Sequence, residues 1–239
     1  MSNGGLERID VAILAGGLGT RIAVTLKDTP KVLAEINGRP YLDHLLDWLA
    51  GFDPHRIVMC LGHLAQAVVR HLDGRPGIEC VVEPEPLGTG GAVRFCREHL
   101  TSDDVMVMNG DTWLATDLAA FVQDHRLGGR EVSMMCVRVD DVSSYGKLRI
   151  EDGSVMEFVE KDPNDTSPGL INGGVYLMTQ KALDQLCAAE ARSIENDFFA
   201  VLAPGSIRAF VPKMANFIDI GTPERLAAAA QVLPKPVDR

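Results

Sequence analysis

Several features that would define other protein classes are missing from this sequence. Its 239 residues contain no apolar run of about 18 residues, which a membrane-spanning helix requires. The five cysteines form no Cys-x-x-Cys pair, so neither a zinc site nor a disulfide framework is expected. The opening segment MSNGGLERID lacks the pattern of a signal peptide. We therefore expect free thiols and a cytoplasmic protein.

Positive charge is also scarce. The chain has 23 Lys and Arg against 33 Asp and Glu, which gives a net charge of −10. This balance argues against nucleic acid and against anionic membranes as partners. It does not exclude a small anionic substrate, because a few local cations are enough to bind one.

The first half of the chain alternates short apolar runs with amphipathic segments. The pattern predicts strands at 11–14, 57–61, 79–82 and 105–108, and helices at 42–49, 65–72 and 92–100, with a loop at the start of 84–91. Such alternation is typical of an α/β protein, with a Rossmann-like three-layer α/β/α arrangement and a mostly parallel mixed sheet. Ligands of these folds bind beyond the carboxyl ends of the strands.

The second half is richer in strand patterns. Strands are predicted at 132–139, 147–150, 155–160 and 175–178, and helices at 181–187, 195–202 and 223–232. Thr222 is a good N-cap for the last helix, and Pro223 suits its first turn. We expect residues 1–239 to form one domain with a smaller C-terminal lobe.

A glycine-rich loop follows the first predicted strand, in the segment from Ala15 to Arg21. Glycines let backbone amides approach phosphate oxygens. The dinucleotide fingerprint would need glycine where Ile22 stands, and the Gly-Lys-Ser/Thr of a P-loop is absent. The loop ends in Arg21, and Pro30-Lys31 follows, so two cations and an amide cradle suit a triphosphate. The alternative is a plain turn with solvated charges.

Three further positions carry charged residues in chemically suggestive places. Asp111 directly follows a buried strand, and Asp219 lies inside an apolar run; together they offer the hard oxygen ligands that Mg²⁺ prefers. A lone aspartate after a strand is also a common turn residue. Glu160-Lys161 is either a surface ion pair or a pair that binds a sugar phosphate, and the residue types alone leave this open.

Taken together, these segments resemble the sugar-1-phosphate nucleotidyltransferase family, the NDP-sugar pyrophosphorylases, over residues 9–232. The chain departs from the family's opening motif only at Ile22, Val24 and Val32, and none of these changes removes a polar contact. The matching motifs are Gly16-Gly17 with Gly19-Thr20-Arg21, Pro30-Lys31, Glu83 with Leu87-Gly88-Thr89-Gly90-Gly91, Gly110-Asp111, Tyr145-Gly146, Glu160-Lys161, Asn172-Gly173-Gly174 and Asp219-Ile220-Gly221-Thr222.

The resemblance implies an activity and a set of site residues. The family joins a sugar 1-phosphate to a nucleoside triphosphate and releases pyrophosphate, with Mg²⁺ held by Asp111 and Asp219. It implies catalytic roles for Arg21, Lys31 and Asp111. The implied nucleotide-binding residues are Leu14, Ala15, Gly16, Gly17, Gly19, Thr20, Arg21, Lys31, Glu83, Gly88 and Thr89. The implied sugar-phosphate-binding residues are Tyr145, Gly146, Glu160, Lys161, Asn172 and Gly173. The nucleotide part would cover about 9–130 and the sugar-phosphate part about 131–232.

Within the family, PLGTGGA, FIDIGTPERL and the segment 194–199 most resemble the D-glycero-D-manno-heptose 1-phosphate guanylyltransferases, which make GDP-heptose from GTP for capsule or surface glycans. Mannose 1-phosphate with GTP, or a hexose or N-acetylmuramate 1-phosphate with UTP, are the alternative substrates. Two other classes compete: a metal-dependent glycosyltransferase, which would leave Arg21 and Lys31 unexplained, and a silent regulatory subunit, which should have lost some of these residues. The sequence leaves a homodimer as an open option. It also leaves open whether Glu195 and Asp197 contact the sugar or only occupy the first turn of a helix, where acidic residues suit the helix dipole.

Overall fold

The first apolar run of the sequence becomes a central strand. A computed structural model describes residues 4–26 and 28–235, in which β1 (Ile9–Ala15) lies between two parallel neighbours. The remaining strands are β2 (Glu35–Ile36), β3 (Arg39–Pro40), β4 (Arg56–Leu61), β5 (Ile78–Val82), β6 (Asp104–Asn109), β7 (Thr112–Ala115), β8 (Val132–Val139), β9 (Lys147–Glu151), β10 (Ser154–Val159), β11 (Gly169–Thr179), β12 (Ile207–Phe210) and β13 (Asn216–Asp219). The α-helices are α1 (Ala23–Leu26), α2 (Tyr41–Ala50), α3 (Ala65–Leu72), α4 (Gly88–Phe95), α5 (Leu118–Gly128), α6 (Gln180–Ala188) and α7 (Pro223–Val232).

Nine strands form the main sheet, in the order β5-β4-β1-β6-β11-β8-β12-β10-β9. The half from β5 to β6 is parallel, and β12 is parallel to β8, whereas the other neighbours are antiparallel. The predicted mixed α/β fold is confirmed. Because Ala15 pairs with Leu61 and Leu14 with Asn109, the carboxyl ends of β1, β4 and β6 meet at one edge.

Side chains of β1 point alternately to two hydrophobic cores, as the period of two in a strand requires. Val11 and Ile13 pack in the core beneath α2, α3, α5 and α7, while Ala12 packs in the core beneath α4 and α6. Helices therefore cover both faces of the sheet, which is the predicted three-layer arrangement. None of the helices in the described ranges is long and apolar enough to cross a membrane.

Two predicted helices differ from the observed ones near the cavity described below. Helix α4 begins at Gly88, inside the expected loop, rather than at Ala92; the glycines there allow the chain to pack against Ala191 and Arg192. The segment 195–202, predicted as an α-helix, forms a π-helical turn (Ile194–Phe198) and a short 3-10 helix (Phe199–Val201). Its polar side chains explain this, because Asp197 accepts hydrogen bonds from the backbone of residues 192 and 193.

Other elements were not predicted at all, or only in part. The sequence pattern missed β7, β12, β13 and helix α5, although α5 begins after the N-cap Asp117 and ends at Gly129 in the left-handed region. Strand β11 extends from residue 169, whereas only 175–178 were predicted, because Asn172-Gly173-Gly174 occupies an irregularity in its pairing with β8. The last helix, α7, matches its prediction, and Thr222 caps it as expected.

Candidate active site

A cavity of about 370 Å³ opens at the sheet edge where β1, β4 and β6 end. It contains all the predicted nucleotide-binding residues except Thr20 and Arg21: Leu14, Ala15, Gly16, Gly17, Gly19, Lys31, Glu83, Gly88 and Thr89. Asp111 also lines it. Residues from three separate stretches of sequence therefore surround one space, as expected for a ligand crevice of this fold class.

Close backbone packing fixes the glycine loop beside this cavity. A Cβ on Gly62 would lie 2.8 Å from the carbonyl oxygen of Gly16, and one on Gly110 would lie 2.7 Å from that of Leu14. Glu83 packs beside Gly16 and Gly62 and accepts a long hydrogen bond of 3.4 Å from the backbone N–H of Leu87. Burial raises the pKa of the Glu83 carboxyl. The loop is thus fixed by contacts that a larger residue would break.

Lys31 and Asp111 form an ion pair inside the cavity. The Nζ atom of Lys31 contacts Oδ2 of Asp111, with both side chains largely shielded from solvent. Lys31 opens a short 3-10 helix after the glycine loop, and Asp111 lies in the tight turn between β6 and β7. The pair places a cation and a carboxylate together beside the backbone amides of the loop.

Asp219 lies next to Asp111 across a small two-stranded sheet. Strand β13 pairs antiparallel with β7, which sets Asp219 opposite Thr112, and the N–H of Ile220 donates a hydrogen bond of 2.9 Å to the Asp111 carbonyl. The sequence separates the two aspartates by more than a hundred positions, and this pairing brings them to the same edge of the fold.

Strong donors surround the Asp219 carboxylate. Its Oδ2 accepts hydrogen bonds of 2.6 Å from both the Tyr145 hydroxyl and Nη1 of Arg225, and its Oδ1 accepts one of 2.9 Å from the N–H of Gly221. Burial alone would raise the pKa of Asp219, but these hydrogen bonds outweigh it and hold the pKa below its usual value. Burial and the bond to Asp219 raise the pKa of Tyr145. Asp219 is therefore an ionised carboxylate.

The two carboxylates suit a divalent cation that completes its shell from substrate. Within the described residues, no group of three or more His, Cys, Asp or Glu could hold a metal ion. Mg²⁺ commonly takes one or two carboxylates together with phosphate oxygens and water, so the oxygen donors of Asp111 and Asp219 fit it. The buried hydroxyl of Tyr41 has no partner in the described part of the chain, and the charges of both aspartates add to burial in raising its pKa.

Thr20 and Arg21 are exposed and do not line the cavity. Arg21 nevertheless lies close to Asp219, because the point where a Cβ on Gly221 would stand is 3.8 Å from its Nη2 atom and 2.8 Å from Oδ1 of Asp219. Its hydrogen-bonding groups meet no partner among residues 4–26 and 28–235, and they face the side of the site that carries Asp219.

None of the six predicted sugar-phosphate residues lines the cavity, and they fall into three groups. Tyr145 contacts Asp219, as described above. Asn172 joins a buried network, in which its Nδ2 donates to the Tyr176 hydroxyl at 2.8 Å, and Gly173 packs against the Met135 carbonyl. Gly146, Glu160 and Lys161 are exposed and lie outside the cavity, with Gly146 beside the end of β10. No ion pair joins Glu160 to Lys161 in the described structure.

Sequence reasoning missed three residues of this region and left a fourth undecided. Arg192 and His63 line the cavity, and Arg225 holds Asp219. Glu195, for which a sugar contact and a helix-end role were equally weighted, accepts hydrogen bonds from Thr89 at 3.3 Å and from Tyr176 at 2.9 Å. Arg225 had a sequence signal, because it belongs to the segment FIDIGTPERL and lies in the first turn of the capped helix α7.

Comparison with known proteins agrees with this geometry. A family model described as nucleotidyl transferase matches residues 11–235. The chain belongs to the nucleotidyl transferase family. The predicted family is confirmed, and the protein is a nucleotidyltransferase. Enzymes of this family generally use a divalent metal ion.

Individual relatives have names that point to related reactions. The D-glycero-alpha-D-manno-heptose 1-phosphate guanylyltransferase of Aneurinibacillus thermoaerophilus is 28% identical over 94% of this chain and 98% of its own length. The corresponding protein of Campylobacter jejuni is 31% identical, covering 89% and 94%. The mannose-1-phosphate guanylyltransferase of Mycobacterium tuberculosis is 32% identical over 91% of this chain, which spans only 62% of that protein's length.

A solved structure gives the same picture of the fold. The crystal structure of HddC from Yersinia pseudotuberculosis complexed with GMP-PN superposes with a TM-score of 0.82 and 34% identity, covering 93% of this nucleotidyltransferase and 98% of that chain. The similarity therefore extends through both halves of the sheet and is not confined to the glycine loop.

Proposed function

We propose that this nucleotidyltransferase transfers the guanylyl group of GTP to D-glycero-D-manno-heptose 1-phosphate, giving GDP-heptose and pyrophosphate. The observation that carries the proposal is the cavity in which the glycine loop, Lys31 and Asp111 meet at the carboxyl ends of parallel strands. The choice of heptose follows the two relatives that are matched over nearly their whole length. The choice of GTP follows their names and the GMP-PN complex of HddC.

The arrangement suits in-line transfer without a covalent enzyme intermediate. An oxygen of the sugar phosphate attacks the α-phosphorus of GTP, the new P–O bond forms, and the bond to pyrophosphate breaks. Such a reaction needs positioning and neutralisation of charge above all. Lys31 would offset charge near the reacting phosphates, and Arg21 would offset charge on the departing pyrophosphate. The amides of the glycine loop would hold the triphosphate.

Other residues would hold the base, the sugar and the metal. Gly88 and Thr89 at the start of α4 would contact the base. Asp111 and Asp219 would bind Mg²⁺, which when bound supplies positive charge to the phosphates. For the sugar phosphate we propose Tyr145, Gly146, Glu160, Lys161, Asn172 and Gly173. Of these, Tyr145 has the best structural support, because it already contacts Asp219.

The cellular setting is part of the same proposal. The five cysteines are free thiols, which suits an enzyme of the reducing cytoplasm. GDP-heptose would serve capsule or surface glycan synthesis. The division into a nucleotide part and a sugar-phosphate part, and a homodimeric assembly, stay predictions.

Mannose 1-phosphate is the second candidate acceptor, because the Mycobacterium tuberculosis relative carries that name. A screen for pyrophosphate release decides between the candidates: GTP, UTP, CTP and dTTP are each tested with heptose, mannose and glucose 1-phosphates in the presence of Mg²⁺. We expect GTP with heptose 1-phosphate to give the highest kcat/KM. Faster turnover with mannose 1-phosphate would identify that compound as the acceptor instead. If no pair of substrates released pyrophosphate, the proposed activity would be refuted. Asp111→Asn serves as the inactive control.

A further inference from the structure

Arg225 occupies a position between the proposed metal side and the proposed sugar-phosphate side of the site. Its guanidinium carbon lies 4.6 Å from the centre of the Tyr145 ring, and its Nη1 donates to Asp219 Oδ2. The Tyr145 hydroxyl donates to the same oxygen. Arg225, Tyr145 and Asp219 thus all contact one another. The guanidinium of Arg225 stacks on the Tyr145 ring, and both side chains donate to the same oxygen of Asp219.

The hydrogen bonds to Asp219 leave few of its lone pairs available to a metal ion. A carboxylate offers about four lone-pair sites. Oδ2 uses two of them for Tyr145 and Arg225, and Oδ1 uses one for the N–H of Gly221. A divalent cation approaching Asp219 would therefore have to displace a donor or accept a single remaining position.

The local charge also disfavours the binding of a divalent cation in the absence of nucleotide. Asp111 is paired with Lys31, and Asp219 is paired with Arg225. Arg21 adds a third positive charge beside Gly221. The side chains around the two aspartates thus carry more positive than negative charge before substrate binds. Such a site attracts phosphate, because the planar guanidinium of Arg225 can bind two oxygens of a triphosphate at once and the ammonium of Lys31 can bind a single one.

From these contacts we propose that Arg225 is a positioning residue that withholds Asp219 from a divalent cation until nucleotide is bound. The proposal rests on the proposed function, because it takes Asp111 and Asp219 as the metal ligands. It predicts that the metal joins the site together with the triphosphate and binds poorly to the protein alone.

The test is a titration of the nucleotide-free protein with Mn²⁺, with the free ion measured by its electron paramagnetic resonance signal. Arg225→Met and Arg225→Gln remove the charge, and we expect each to bind Mn²⁺ about tenfold more tightly than the native protein, the factor expected from losing one charge-assisted competitor. The gain should disappear when Asp219→Asn is added. If the methionine variant does not fold, the glutamine variant decides the question, because it also removes the positive charge that pairs with Asp219.

A matched control removes the same charge elsewhere. Arg149 pairs with Glu157 at 3.0 Å on the exposed face of β9 and β10, so Arg149→Met should bind Mn²⁺ as the native protein does. With GTP present, the difference in Mn²⁺ affinity between Arg225→Met and the native protein should become smaller. Unchanged or weaker Mn²⁺ binding in both Arg225 variants overturns the proposal, and so does an equal gain in Arg149→Met. Failure of the activity itself would appear separately, as absent pyrophosphate release by the native protein.

Discussion

The hydroxyl of Tyr176 donates a hydrogen bond of 2.9 Å to Oε1 of Glu195 and accepts one of 2.8 Å from Asn172. Tyr176 has no exposed surface. Glu195 lies in the π-helical turn, whose first N–H donates to Thr89 Oγ1 at 2.9 Å. This single hydroxyl therefore connects strand β11 with the turn that supports the cavity wall at Thr89.

Removing that hydroxyl should destabilise the fold. Tyr176→Phe leaves the Asn172 amide and one Glu195 oxygen without their buried partner, and we expect a loss of about 1–3 kcal/mol in the free energy of unfolding. Urea denaturation measures it. Tyr41→Phe is the matched control, because it removes a buried hydroxyl that has no partner in the described structure, and its cost should be small. Equal losses in the two variants would show that the Tyr176 network contributes nothing specific.

Lys31 and Asp111 should act as a coupled pair in catalysis. We expect Lys31→Met and Asp111→Asn each to lower kcat/KM by about 10²- to 10³-fold, and the double variant to lose less than the product of the two. The reason is that either single change leaves an unpaired charge in a shielded site. The rate of pyrophosphate release gives kcat/KM for the native protein, the two single variants and the double variant.

A double-mutant cycle on an exposed pair provides the comparison for Lys31 and Asp111. Arg39 and Asp47 are bonded at 2.6 Å and are both well exposed, so Arg39→Met and Asp47→Asn should couple by less than about 1 kcal/mol in stability. Strict additivity of Lys31→Met and Asp111→Asn would contradict the coupling that the structure indicates.

Arg21 should matter for rate and hardly at all for stability. Its side chain is exposed, and no hydrogen bond ties it to the described residues, so Arg21→Met should change the free energy of unfolding by less than about 0.5 kcal/mol. By analogy with other phosphoryl-transfer cations, we expect kcat to fall on the order of 10³-fold. Arg138→Met, an exposed arginine on β8, is the control for charge. A native rate in Arg21→Met would remove Arg21 from the mechanism.

Much of the cavity could be predicted because its residues are close in sequence. The glycines and Lys31 follow one buried strand within a short stretch, and Asp111 follows another, so the topology of an α/β sheet brings them together. Arg192 and Glu195 could not be placed in the same way. They lie in a turn whose path depends on Asp197 accepting two backbone hydrogen bonds, and no periodicity in the sequence encodes that path.

The fold was predictable where the period of apolar residues was clear. Strands β1, β4 and β6 and helices α2, α3 and α7 match their predictions within one or two residues. Strand β7 and helix α5 were missed, because β7 is four residues long and follows the Asp111 turn directly, while the apolar side chains of α5 are interrupted by polar ones. Because β7 was missed, its pairing with β13, which sets Asp219 beside Asp111, was missed as well.

Asp10 gives a pH-dependent contribution to stability at the sheet edge opposite the cavity. Its carboxylate is fully buried, and its Oδ2 accepts hydrogen bonds of 2.7 Å from the N–H of Thr101 and 3.0 Å from that of Ser102. His55 Nδ1 lies 2.9 Å from Oδ1. Burial by itself would raise the pKa of Asp10, but the bonds from His55, Ser102 and Thr101 hold it below the ordinary value.

The pKa of Asp10 is lower in the folded protein than in the unfolded chain, so its ionised carboxylate stabilises the fold at pH values above the unfolded pKa of about 4. This stabilisation is lost as the pH falls through the folded-state pKa. Asp10→Asn should therefore cost about 1–3 kcal/mol in the free energy of unfolding at neutral pH, because the two N–H donors lose their charged acceptor and an NH2 group takes the place of one acceptor oxygen. The difference in the free energy of unfolding between Asp10→Asn and the native protein should become smaller as the pH falls below about 4. Urea denaturation at several pH values measures both effects. Asp103→Asn is the control, because Asp103 is exposed and its side chain accepts no hydrogen bond in the described ranges. A cost that stays constant with pH would mean that ionised Asp10 does not supply this stability.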